Sequence, residues 1–397
     1  MKKMKVVILA AGEGIRLRPF TEMKPKVMLP VGNKPILHHV IDALTKTTID
    51  EIIIVIGYKK NKILHYFKDY PKLPIRFIEQ NKQLGTAHAL LQAKNEIDDD
   101  FIVVFGDNLI DGQSLQEIID LENSNGILIT SNEYPSNYGV VEINNDQLTN
   151  ITEKPDKQDH RFIATGIYKF DKSIFYHIQQ TIDNGQFGMS AVIQSLLNNN
   201  ISVGTKKTDK WKDVAYPWNL LSLNESYASS ISGKIGGIIE KQVQMKGPII
   251  IGKNTRISSG TYLVGPLIIG DDCEIGPNSC IFPSTVIGNN CVVQPFTSIR
   301  NSIIMDNSRI GAQSYIARSI IAERVTIGHH VTLSEDNAMV YINDEIKMVH
   351  DIGVMIGEDT IIGNQVSVDP GVIIGKNCHI ESLQHISKNI LSKAHVM

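Results

Sequence analysis

Residues 8–30 read ILAAGEGIRLRPFTEMKPKVMLP. The stretch follows a short β-like run over 5–9 and carries Gly12, Gly14, Arg16, Arg18, Lys24 and Lys26 on a loop. A close pair of glycines lets the backbone turn tightly and present N–H groups to an anion, and the basic residues supply countercharge. The expected property is a grip on a polyphosphate. Spacing excludes two familiar loops. A dinucleotide fingerprint needs a third glycine where this chain has Leu17, and a Walker loop needs a terminal Gly-Lys-Ser/Thr that is absent. Gly12-Glu13-Gly14 alone is equally compatible with an ordinary strand-to-helix turn whose charges are solvated.

Outward from this loop, apolar runs alternate with helical patterns as far as residue 220 or so. Strands are expected over 6–10, 51–57, 75–80 and 101–107, with helices over 36–44, 59–67 and 86–97. Near-continuous Ile/Val runs suit strands covered on both faces, so this part reads as an α/β domain with a mostly parallel sheet. Ligands of such sheets sit at the carboxyl ends of strands, where both the opening loop and Gly106-Asp107-Asn108 fall. Further strands are expected over 126–132, 138–143, 162–170 and 201–208, and helices over 173–181, 189–197 and 219–230. Ser232-Gly233-Lys234-Ile235-Gly236-Gly237 reads as a linker.

Past the linker the period changes. Ile251, Ile257, Leu263, Ile269, Ile275, Ile281, Ile287, Val293 and Ile299 recur at steps of six. After a five-residue step the series resumes at Ile304, Ile310 and Ile316, and after another at Ile321, Ile327 and Leu333. It returns at Ile356, Ile362, Val368, Ile374, Ile380 and Ile386. Six residues fit neither a helix nor a simple strand alternation; they fit a solenoid of short strands and turns. Glycine follows the aliphatic residue at 252, 270, 276, 288, 311, 328, 357, 363 and 375, where a corner can demand positive φ. Two residues before the aliphatic come small side chains such as Thr255, Cys273, Ser279, Cys291 and Cys378, expected to pack inward. Residues 334–353 break the repeat and are expected to protrude as a loop.

Bulk properties bound the function. The length of 397 residues suggests two or three domains. A net charge of −3, with 39 basic against 42 acidic residues, gives no electrostatic reason to expect nucleic acid or an anionic membrane as partner. There is no apolar run of about 18 residues able to span a bilayer. The basic, apolar start MKKMKVVILAAGEG reads as a first strand, since its apolar run ends at Ala11. The four cysteines show no CxxC spacing, which fits a reducing cytoplasm and gives no cysteine-based zinc site.

The opening stretch resembles the signature L-A-A-G-x-G-x-R…P-K of sugar-1-phosphate nucleotidylyltransferases, here Leu9 to Arg16 followed by Pro25-Lys26. Over the whole chain the resemblance is to archaeal bifunctional fusions of an N-acetylglucosamine-1-phosphate uridylyltransferase with a hexapeptide-repeat acetyltransferase. It implies a Rossmann-like domain over 1–225, a linker over 226–241, and a left-handed parallel β-helix over 242–397. It also implies that a sugar-1-phosphate attacks a nucleoside triphosphate and releases pyrophosphate, a reaction needing alignment and charge neutralisation rather than a nucleophilic side chain. Under this resemblance Ala10, Ala11, Gly12 and Gly14 hold the nucleotide, Arg16 and Lys26 hold phosphates, and Asp107 and Asp213 hold Mg2+. Gly139, Glu153 and Thr165 cradle the sugar, and Lys154 faces its phosphate. Gln80-Asn81-Lys82-Gln83-Leu84-Gly85-Thr86-Ala87-His88-Ala89 resembles the uracil-reading Q-x-x-Q-L-G-T-x-H-A segment, with Gln80, Gly85 and Thr86 at the base. That favours UTP and N-acetylglucosamine-1-phosphate. Ala164 and Asp213 instead match glucose-1-phosphate thymidylyltransferases, which keeps dTTP or UTP with glucose-1-phosphate as the alternative. His88 is read as structural.

In acetyltransferase relatives a histidine base sits where this chain has Ala312, and alanine cannot take a proton. His329, His330 or His350 would serve only from a shifted position. The expected role of the β-helix is therefore structural or regulatory, with homo-oligomerisation, a trimer being favoured. Acetyl transfer from acetyl-CoA to glucosamine-1-phosphate and a catalytically silent subunit stand as the other readings. The joint presence of Arg16, Lys26, Asp107, Glu153, Lys154 and Asp213 argues against the silent one.

Overall fold

In the computed structural model of the chain, which describes residues 4–68, 70–132, 135–155, 162–342 and 345–397, the strand Met4–Ala10 is the third of a nine-stranded sheet. It runs parallel to Ile49–Ile56 on one side and to Phe101–Phe105 on the other, and Ile75–Glu79 extends the parallel part. The continuous apolar runs conceal a two-residue alternation. Val7, Leu9, Ile53, Val55 and Val103 enter one core, whereas Val6, Ile8, Ile52, Ile54, Ile102 and Val104 enter the core on the opposite face. Burial on both faces is what demands branched aliphatics at consecutive positions.

The second half of the sheet is mixed. Phe162–Phe170 runs antiparallel to Phe101–Phe105 and to Gly126–Ser131, and Gly204–Lys207 is parallel to Gly126–Ser131. A ribbon of Gly139–Asn144 and Gln147–Glu153 completes the order. Helices form at Ile36–Leu44, Lys60–Phe67, Ile174–Asp183, Met189–Asn198 and Asn219–Ala228. The helix expected over 86–97 stops at Leu91 and gives way to the 3-10 turn Lys94–Glu96. Helix Gly112–Ile119 was not anticipated; its local signal is Asp111, whose side chain accepts from the Ser114 backbone N–H at 2.9 Å.

The chain divides into two compact units. The first ends at Asp213, and the second comprises Val214–Met397 together with Gly14–Glu22 and Pro30–Lys34. Helix Asn219–Ala228 groups with the second unit by compactness. The glycine-rich segment expected as a linker is already solenoid, because Lys234–Ile235 and Ile238–Ile239 pair in parallel with Ile249–Ile251 and Arg256–Ile257. Gly237 reads like linker chemistry, yet it is glycine because a Cβ there would strike the Thr255 carbonyl.

The second unit is a parallel β-helix of three sheets, containing eight, nine and eight strands. Each strand pairs with the one a coil later, so Arg256 faces Glu274 and Glu274 faces Val292. Where a five-residue step intervenes the coil shortens, and Val292 faces Arg309. The hexad aliphatics fill the interior, with Ile257, Ile275, Ile310 and Ile380 at 0% exposure. The small residues beside them do point inward and cross-link coils: Thr255 Oγ1 donates to the Gly270 carbonyl at 2.6 Å and Cys273 Sγ to that of Gly288 at 3.0 Å.

The corner glycines correct the expectation of positive φ. The left-handed residues lie two positions later, at Asn254, Asp272, Asn278, Asn290, Gln313, His330, Asp359, Gln365 and Asn377. The glycines themselves answer to crowding between coils. A Cβ on Gly270 would lie 2.5 Å from the Gly288 carbonyl oxygen, and one on Gly276 would lie 2.7 Å from Pro295 N. The insertion expected over 334–353 is an antiparallel ribbon, Asp336–Ile342 with Glu345–Ile352; positions 343 and 344 lie outside the described residues.

Candidate active site

The carboxyl edge of the parallel strands gathers the first group of candidate residues. Ala10 and Ala11 are buried, and the Ala11 carbonyl accepts from the Tyr58 N–H at 3.0 Å. Gly12 is exposed, and a Cβ added to it would meet no protein atom within 4 Å. Among the described residues no side chain or backbone crowds this position. The strand expected over 101–107 ends at Phe105, and the Gly106 N–H donates to the Leu9 carbonyl at 2.9 Å. A Cβ on Gly106 would stand 3.1 Å from Ile8 Cγ2, so glycine lets Asp107 leave the sheet hard against the opening strand.

Asp107 and Asp213 come together through a contact invisible in the period of the sequence. Lys212–Asp213 pairs antiparallel with Asn108–Leu109, and Asp213 stands opposite Asn108. Lys26 Nζ lies between the two acids, 2.6 Å from Asp107 Oδ2 and 2.9 Å from Asp213 Oδ1. Burial is the largest influence on this ammonium and opposes its charge, but the two carboxylates together outweigh it. They hold its pKa well above the ordinary lysine value. The arrangement is a pocket of hard oxygen donors already stabilising one cation, a donor set suited to a divalent metal ion.

Two side chains support this corner that sequence reading did not assign. Trp211 Nε1 and Asn108 Nδ2 both donate to the Thr165 carbonyl, at 3.0 and 2.5 Å. Trp211 stood beside Asp213 in plain view; a buried indole N–H needing a partner was the available signal. Thr165 lies on strand Phe162–Phe170. It is 2% exposed, and its hydroxyl donates to the Leu128 carbonyl at 2.7 Å, so that hydroxyl is committed to the sheet rather than to a sugar. The neighbouring Gly166 has φ of +80°, and a Cβ there would be 2.6 Å from the Phe105 ring.

The segment resembling a base-reading loop is organised by Gln80. This buried amide donates through Nε2 toward the Gly85 carbonyl at 3.3 Å and contacts His88 Nδ1 at 2.8 Å. Gly85 passes so close to Phe187 that a Cβ would be 2.7 Å from Phe187 Cβ, and Thr86 Oγ1 accepts from the Met189 N–H at 3.0 Å. Gln83, the second glutamine of the segment, donates to the Gln80 carbonyl at 3.0 Å. Its side chain also lies over Gly57.

Gly139 stands opposite Glu153 in the ribbon, and Glu153 Oε2 accepts from Ser190 Oγ at 2.6 Å. Lys154 is exposed with φ of +46°, and its N–H donates to the Tyr138 carbonyl at 3.0 Å. Glu153 and Ser190 also border an open groove of about 890 Å³ floored by polar residues of helix Met189–Asn198. Lys26, Asp107 and Asp213 are not among the described residues that line that groove.

Gly14 and Arg16 fall in the segment that groups with the second unit. Gly14 is left-handed at φ +80° and opens the turn Ile15–Leu17, on which Arg16 is exposed. Thr21 Oγ1 donates back to the Gly14 carbonyl at 2.9 Å. Within the β-helix, the Ala312 N–H donates to His329 Nδ1 at 3.0 Å, which ties that ring to the coil before it.

Comparison with known proteins accounts for both units. The family model described as nucleotidyl transferase matches residues 5–230, the GMPPB C-terminal domain matches 263–352, and the hexapeptide repeat of succinyl-transferase matches 353–382. The chain is 37% identical over 396 residues to the bifunctional protein GlmU of Methanococcus maripaludis, covering 96% of this chain and 95% of that protein. It is 35% identical to the UTP–glucose-1-phosphate uridylyltransferase AglF of Haloferax volcanii, over 54% of this chain and 92% of that one. Among solved structures, a putative glucose-1-phosphate thymidylyltransferase from Bacillus anthracis superposes with a TM-score of 0.53 at 25% identity, covering 58% of this chain and 97% of that one. With the hexapeptide match, the solenoid is a left-handed parallel β-helix.

Proposed function

This chain belongs to the nucleotidyl transferase family, and on that premise we propose that it makes a nucleotide-sugar from UTP and N-acetylglucosamine-1-phosphate, releasing pyrophosphate. A phosphate oxygen of the sugar-1-phosphate attacks the α-phosphorus of the triphosphate. The bond from that phosphorus to the bridging oxygen breaks, and pyrophosphate leaves with the electron pair. The observation that carries this reading is the convergence of Asp107 and Asp213 on Lys26 at the carboxyl edge of the sheet.

Within the proposal, Asp107 and Asp213 hold Mg2+, which when bound neutralises charge on the triphosphate. Lys26 and Arg16 neutralise phosphate oxygens, and Lys154 faces the sugar phosphate. The backbone of Ala10, Ala11, Gly12 and Gly14 receives the nucleotide, and the bare Cα of Gly12 allows close approach. Gln80, by holding Gly85 and His88, sets the shape of the base-reading segment in which Gly85 and Thr86 lie. Glu153 and Gly139 take the sugar; Thr165 contributes its carbonyl to the anchor for Trp211 and Asn108 rather than its hydroxyl to substrate.

A second reading, dTTP or UTP with glucose-1-phosphate, is favoured by Ala164 and Asp213 and by the names of two similar proteins. We assign no acetyl transfer to the β-helix, since position 312 is alanine and His329 Nδ1 is engaged by its backbone N–H. We propose that the solenoid assembles the protein as a trimer. A cytoplasmic location is supported by four free cysteines, three of them buried. Among the described residues no helix is long and apolar enough to cross a membrane. The test is pyrophosphate release with Mg2+ across a panel of nucleoside triphosphates and sugar-1-phosphates, with free CoA followed in parallel from acetyl-CoA and glucosamine-1-phosphate. Absence of pyrophosphate with every pair overturns the transfer; strong CoA release overturns the reading of Ala312.

A further inference from the structure

Far along the solenoid, the pairing of His379–Ile380 with His395–Val396 sets His379 directly opposite His395. The alternation of the strand decides where the side chains go. Ile380 is buried in the coil interior and Val396 packs against the same core, so His379 and His395 face outward, as does Glu381 one step beyond Ile380. The two imidazoles stack with centroids 4.8 Å apart. Both Nε2 atoms converge on a single oxygen, Glu381 Oε1, at 3.6 Å from His379 and 2.9 Å from His395. One ligand atom from each of the three lies within 4.8 Å of the others.

The geometry points to a transition-metal site on this outer face, formed by His379, Glu381 and His395 and taking Zn2+ or a similar divalent ion. Bonds of about 2.0–2.1 Å to a tetrahedral zinc place neighbouring ligand atoms about 3.3 Å apart. The two separations from Glu381 Oε1, 2.9 and 3.6 Å, bracket that value. Two imidazoles with one carboxylate select zinc, cobalt or nickel over magnesium, which wants an all-oxygen shell. All three side chains are about half exposed, which leaves the remaining coordination position to water. The strand carrying His395 is otherwise joined to the preceding coil by backbone bonds such as His379 N–H to the Ala394 carbonyl and Glu381 N–H to the Val396 carbonyl, both 2.9 Å. A metal bound here staples that coil to its neighbour. This site is distinct in ligands and in metal preference from the carboxylates proposed for Mg2+.

The experiment uses the full chain without a polyhistidine tag and ZnCl2 alone as probe, in titration calorimetry and metal analysis after dialysis. One equivalent of Zn2+ per chain is expected, undiminished by excess Mg2+, accompanied by a rise in melting temperature. The equivalent should persist in Asp107→Asn/Asp213→Asn, which separates it from the nucleotide site, and in His385→Ala, which removes the neighbouring exposed histidine. It should vanish in His379→Ala/His395→Ala. Because these side chains are exposed, that variant should keep the wild-type circular dichroism, and pyrophosphate release serves as a second check that it is folded. No saturable equivalent in the wild-type chain, or an equivalent unchanged in the folded double variant, overturns the site.

Discussion

Replacing Lys26 with methionine removes an ammonium that bridges Asp107 and Asp213 while keeping an unbranched side chain of similar length. Its Nζ is 2.6 and 2.9 Å from the two carboxylates, with 14% of the lysine side chain exposed. Loss of one preorganised charge of this kind costs about 2–4 kcal/mol in the transition state, or roughly 30- to 1,000-fold in kcat/KM. The folded state also suffers. The acids are 26% and 13% exposed, so the loss falls between a surface pair and a buried one, about 2 kcal/mol. A lysine whose folded-state pKa is raised contributes stability that is complete below the ordinary value of about 10.4 and is lost as pH rises through the higher folded value. The stability gap between wild type and Lys26→Met is therefore flat through neutral pH and closes only under strongly alkaline conditions. Metal binding without nucleotide moves the other way. Two carboxylates freed of a competing ammonium should bind Mn2+ more tightly, as read by electron paramagnetic resonance of free Mn2+. Pyrophosphate release within about threefold of wild type, or unchanged Mn2+ affinity, would refute the reasoning.

Other variants probe the supports. Gly270→Ala and Gly276→Ala drive a methyl to 2.5 and 2.7 Å from the adjacent coil and should each lower stability by about 1–3 kcal/mol in chemical denaturation. Asn278→Gly, at a left-handed corner, should change it by less than about 1 kcal/mol, the reverse of what a glycine-cornered solenoid would give. Trp211→Phe removes one of two donors to the Thr165 carbonyl; about 1 kcal/mol of stability should go with it, and pyrophosphate release should fall because the strand bearing Asp213 loosens. Cys273 and Cys291 are both at 0% exposure in successive coils, where the Cys291 backbone N–H donates to Cys273 Sγ at 3.4 Å, and burial shields both from reagent. A thiol reagent should label Cys280 first in the native protein and all four cysteines only after unfolding.

The periodic parts of this molecule were legible before any coordinates. A hexad of aliphatics fits a solenoid, and the runs at 51–57 and 101–107 fit doubly covered strands, found at Ile49–Ile56 and Phe101–Phe105. What escaped was set by close approach between residues distant in sequence. Glycine after each aliphatic was read as a φ requirement, but the neighbouring coil's backbone imposes it and the left-handed corner falls two residues on. The meeting of Asp107 with Asp213 depends on a pairing only two residues long, too short to leave a period. Resemblance nominates both acids and Lys26, yet gives the lysine to phosphate and not to the gap between the two carboxylates. Nor does residue type tell that the Thr165 hydroxyl donates inside the sheet, to the Leu128 carbonyl. Glu381 and its two histidines occupy outward positions of the hexad, where the repeat places no constraint on residue type.

The central claim, that Asp107 and Asp213 form the metal site of a nucleotidyl transfer, meets its most direct test in the Mg2+ dependence of pyrophosphate release. UTP and N-acetylglucosamine-1-phosphate are the substrates, and wild type is set beside Asp107→Asn and Asp213→Asn. Removing one carboxylate should raise the Mg2+ needed for half-maximal rate and lower the limiting rate about 100-fold, with circular dichroism unchanged. Folded variants that keep both the wild-type rate and the wild-type Mg2+ requirement would contradict it.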